Sequence, residues 1–61
     1  MNKKEKRIAD EIISLELKLE QTADKEIKKT IERKIESLIE GSNLTVREML
    51  RIDAYVREHL L

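Results

Sequence analysis

The chain has 61 residues, 43% of them charged and 2% aromatic, with one glycine, one histidine, no proline and no cysteine. A chain this short makes one domain and buries only ~60% of the surface it exposes when unfolded, which argues against a deep catalytic cleft. Its thirteen basic and thirteen acidic side chains cancel, and they cancel again within residues 1–21, 22–41 and 42–61, so no segment has the net charge of a phosphate-binding surface.

This composition predicts an all-α protein, because strands want more valine, threonine and aromatic residues. Cysteine for a disulfide staple is lacking, and one histidine does not build a metal cage. Ordering a residue costs ~1.5 kcal/mol against ~25 cal/mol per Å² of apolar surface buried, so an unstapled chain of this size ends near zero. Association with another chain is the expected stabiliser. The basic start MNKKEKR is followed by IADEII rather than by a signal-peptide apolar core, and no 18-residue apolar run exists. A soluble cytoplasmic protein with no membrane partner is the expectation.

In chain order, Ile8, Ile12, Leu15 and Leu19 recur at steps of four, three and four, which marks one stripe of a helix over about residues 4–21. A second stripe, Ile27, Ile31, Ile35 and Leu38 with Ile39 beside it, marks a helix over about residues 24–40. Between them EQTADKE has no Gly or Pro, only Thr22 and Asp24 as N-cap candidates, so one unbroken helix remains an alternative. The apolar positions favour folding back near Ala23, which sets Leu19 opposite Ile27, Leu15 opposite Ile31 and Ile8 opposite Leu38 in an antiparallel helical hairpin.

Gly41, the only glycine, is expected to end the second helix by adopting the left-handed conformation. Leu44, Thr45, Glu48 and Met49 then occupy the N′, N-cap, N3 and N4 positions of a third, C-terminal helix over about residues 45–60, a capping box with a hydrophobic staple. Its main stripe reads Val46, Met49, Leu50, Val56 and Leu60.

Apolar residues also lie off these stripes: Ile13 and Leu17 on the first helix, Ile52 and Tyr55 on the third. One partner helix cannot cover both faces of the first, so Ile13, Leu17 and Ile52 are candidate dimerisation residues and the expected assembly is a homodimeric helical bundle.

Chemistry is sparse. His59 has Val56 and Tyr55 at helical spacing rather than a second ligand or a carboxylate, and Ser14, Ser37 and Ser42 have no neighbouring base. Glu32, Glu36 and Glu40 form an acidic row that Lys28, Lys29 and Arg33 neutralise. No catalytic, cofactor-binding or metal-binding residue is assigned, and no small-molecule substrate is expected.

Val46, Asp53 and Leu60 are spaced by sevens, which puts an acid at a central heptad position. Such a residue costs stability and sets register or partner choice, unless it simply pairs with Arg57 one turn later at a solvated edge. With Arg47, Arg51 and Tyr55 it forms a candidate partner-binding set, since Tyr and Arg are enriched among interface anchors. The stretch SLIEGSNLTVREML resembles a helix-turn-helix in its glycine turn, but Glu36 and Glu40 fall where that motif packs apolar groups. In size and hairpin plan the chain also resembles small dimeric helical proteins that hold kissing RNA loops and phosphatases of sporulation response regulators. The second helix, IERKIESLIE, lacks the phosphatase Ser-Gln-x-Leu-Asp signature.

The functional expectation is a non-enzymatic interaction protein that binds itself and modulates a larger transcription factor, polymerase or signalling enzyme. The alternative is a dimeric nucleic-acid-binding protein using Lys25, Lys29, Arg33, Arg47 and Arg51.

Overall fold

The computed structural model describes all 61 residues as three helices and no strands: α1 (Lys3–Gln21), α2 (Lys25–Gly41) and α3 (Val46–Leu60). Each begins at a side-chain cap. Asn2 Oδ1 accepts from the Glu5 backbone N–H at 2.8 Å, and Asp24 Oδ1 accepts from Glu26 and Ile27. Thr45 and Glu48 exchange the two bonds of a capping box, at 3.2 and 3.0 Å. The break between α1 and α2 needs neither Gly nor Pro. At Thr22 the backbone turns extended, its N–H bonding the Leu19 carbonyl and its hydroxyl the Lys18 carbonyl at 2.7 Å, and Asp24 two residues later opens α2. Local hydrogen bonding thus turns the chain back on itself.

The end of α2 differs from the sequence expectation. Gly41 is helical, and the residue with positive φ is Asn43, at 52°. The Ser42 backbone N–H and hydroxyl both bond the Leu38 carbonyl, so the helix runs on through Gly41. The left-handed step falls on Asn43, a residue that tolerates it.

Helix α1 is the centre of the molecule: α2 and α3 both pack on it and not on each other. Ile8, Ala9 and Ile12 of α1 form one buried cluster with Ile52 and Val56 of α3, and Ile35, Leu38 and Ile39 of α2 pack against it half-buried. Ile31 is buried further along α2. The expected main stripe of α3 is therefore only partly inward: Val56 is buried and Leu60 packs against the core, but its N-terminal members are not. Val46 and Leu50 are 73% and 63% exposed, whereas Ile52 is 4% exposed. This corrects the placement of Ile52 as a dimerisation residue: it lies in the chain's own core. Ile13, expected to meet a second chain, packs against the same core, while Leu17 stays exposed. The second face of α1 is thus covered within the chain at Ile13 and left open at Leu17.

The polar end of α2 is also completed from α1. No basic residue stands in the last turn of α2, and Lys3, Lys4 and Arg7 of α1 line a shallow depression beside Gly41 and Ser42. Cations there complement the partial negative charge of the helix C-terminus.

Candidate functional site

Two helices that share a third without close approach of their own backbones leave a trough between them. Here it is an open groove of about 490 Å³ floored by Ile12, walled by Ile35 and Ile39 of α2 and by Met49, Ile52 and Val56 of α3, and closed at one end by Leu44. Val46 and Leu50 continue its apolar lining onto the outer face of α3, and Glu16 and Asp53 are its only polar side chains. The position of α3 sets this geometry, because the rotation that buries Ile52 and Val56 swings Val46, Met49 and Leu50 outward.

That rotation is secured by an ion pair which sequence reading missed. Glu5 is the only buried polar residue; its carboxylate takes Arg51 Nη2 at 2.7 Å and Nε at 3.1 Å, with Asn2 Nδ2 at 3.4 Å. Two parallel N–H donors on one carboxylate make a bidentate contact that fixes orientation as well as distance. The Arg51 hydrogen bonds hold the Glu5 carboxyl below its ordinary value despite burial, and raise the Arg51 guanidinium in turn. Glu48 is also lowered, first by the backbone N–H of Thr45. The Asn2–Glu5 spacing was a legible capping signal at the head of α1. Its pairing across 46 positions to Arg51 was not.

The candidate partner-binding residues separate. Arg51 is committed to Glu5, although its side chain is 53% exposed. Asp53 is exposed and pairs with Arg57 one turn along, Oδ2 to Nη2 at 3.2 Å, which is the solvated-edge arrangement, yet it also lines the groove. Arg47 is exposed with Val46 at the start of α3. Tyr55 is half-buried against the core, its ring 4.1 Å from that of His59, whose Nδ1 donates to the Tyr55 carbonyl at 2.9 Å. The His59 ring is thus engaged within its own helix. Lys25, Lys29 and Arg33 are exposed on α2, which does not pack on the helix that carries Arg47 and Arg51, so the five cations form no single row.

No three His, Asp or Glu side chains converge as a metal-holding set, and no helix is long and apolar enough to cross a membrane. What the arrangement offers is an apolar trough with an acidic edge, a shape that apolar side chains can cover. Comparison with protein-family models, with curated proteins and with solved structures finds no match.

Proposed function

We propose that this protein is a non-enzymatic interaction module, a homodimeric helical adaptor or inhibitor that modulates a larger regulatory protein of the transcription, polymerase or signalling kind. The observation that carries the dimer is an excess of surface. The chain exposes 4972 Å², whereas a compact monomer of 7.2 kDa exposes about 4,100 Å². The difference, about 850 Å², is close to the ~800 Å² that each partner contributes to a standard protein interface.

The apolar part of that excess is concentrated. Val46, Met49 and Leu50 stand exposed beside the groove between α2 and α3, a contiguous patch of the kind that marks an interaction site on a soluble protein. A second copy is the occupant this reading commits to, since the chain's balanced charge sets no net repulsion against self-association. Modulation of a larger protein then falls to the faces the dimer leaves open, among them the exposed Leu17 and Ile27 on the hairpin side of the molecule. Sedimentation equilibrium of the full chain at micromolar concentration tests the reading. Twice the chain mass is expected, and a folded species of 7.2 kDa overturns it.

A further inference from the structure

Building on the proposed dimer, we infer that two copies meet through α3 run antiparallel, with Val46 of one copy against Leu50 of the other and each α3 seated along its partner's groove. Val46 and Leu50 are among the most exposed large apolar side chains of the chain, and they are one helical turn apart on one face. A two-fold axis that passes between them buries all four at once, because residue i meets j and j meets i in an isologous contact.

Charge decides the direction. A parallel pairing that covers the same patch also sets Asp53 against Asp53 of the second copy, like charges opposed at an interface. Antiparallel pairing about that axis sets each Asp53 opposite the partner's Asn43, just ahead of the partner's α3. There the helix N-terminus carries partial positive charge, which favours a carboxylate. The Asp53–Arg57 pair at 3.2 Å need not break, since a carboxylate accepts from more than one donor. On this account Asp53 lies at the groove edge because it selects orientation, while the apolar patch supplies affinity.

The chain has no cysteine, so single cysteines report proximity without background. A mixture of the Val46→Cys and Leu50→Cys variants under mild oxidation should give chiefly the mixed disulfide, at least tenfold faster than Val46→Cys links to itself. Homodisulfides alone, or no crosslink from a chain that sediments as a dimer, would overturn the antiparallel contact while leaving the dimer intact. A chain that sediments as a monomer would remove both. As an independent arm, Asp53→Asn and Asp53→Lys should each weaken the dimer severalfold without loss of helicity, whereas relief of an Asp53–Asp53 opposition in a parallel pair would strengthen it. Single charge variants that sediment like the parent would also count against this pairing.

Discussion

At the residue scale the most informative side chain is Glu5, an acid enclosed by protein and answered by a half-exposed arginine. Removing one partner of such a pair leaves the other charge without its bonds, which costs more than the pair itself contributes. The pH consequence has a definite sign. Glu5 and Glu48 both titrate below the ordinary glutamate value of 4.5 in the folded chain, so the unfolded chain takes up protons first as pH falls. Their stabilisation is fully present above that value and is lost on acidification through the lowered folded-state values. Urea midpoints should therefore drop between about pH 5 and pH 3. Glu5→Gln should be less stable than the parent at pH 7 and should show a shallower drop; a variant with the parent's profile would exclude Glu5 as a source of the acid sensitivity.

At the scale of the element, the ends of the helices were legible because capping is local. Thr45 with Glu48, and Asp24 ahead of α2, use groups within three residues of one another, and the structure has them bonded as the spacing implies. The hairpin bend was less legible, since EQTADKE lacks a strong breaker and the break is marked only by the extended backbone at Thr22 and the cap at Asp24. Gly41 was misread for a physical reason: glycine permits the left-handed conformation but does not require it, and Asn43 two residues on tolerates it as well. This yields a prediction. Gly41 is helical and a Cβ there would meet nothing within 4 Å. Gly41→Ala should raise stability by about 0.5–1 kcal/mol through loss of unfolded-state freedom, read as a higher urea midpoint. Destabilisation would mean that the glycine does serve the turn.

At the scale of the whole molecule, the controlling fact is that α1 is shared and α2 and α3 do not meet. A small domain is marginal because so much of its surface stays wet, and here the groove adds to that surface instead of closing it. Covering the groove with a second chain links folding to association, since anything bound by the folded state alone stabilises it by mass action. Thermal midpoints should accordingly rise with protein concentration, by a few degrees per tenfold, as expected for ~1.4 kcal/mol per tenfold in a dimer of this size. A midpoint independent of concentration over two decades would mark a self-sufficient monomer.

By itself the sequence determined the helical class, the three segments and the capping chemistry of the second and third, all of which follow from residues within a turn or two of each other. It did not determine which side of α3 faces inward. The heptad spacing of Val46, Asp53 and Leu60 with Met49 and Val56 described one face, while Ile52 and Tyr55 lay off it on the other side of Val56. Choosing between the two sides needed the opposing surface: Ala9 with no exposed area, Ile8 and Ile12 beside it, and Glu5 placed to take Arg51 from across the fold. Periodicity measures how apolar a face is and carries no information about what stands opposite. Only the tertiary structure, by rotating α3 onto α1, made Ile52 a core residue and turned Val46, Met49 and Leu50 into the patch on which the proposed interaction rests.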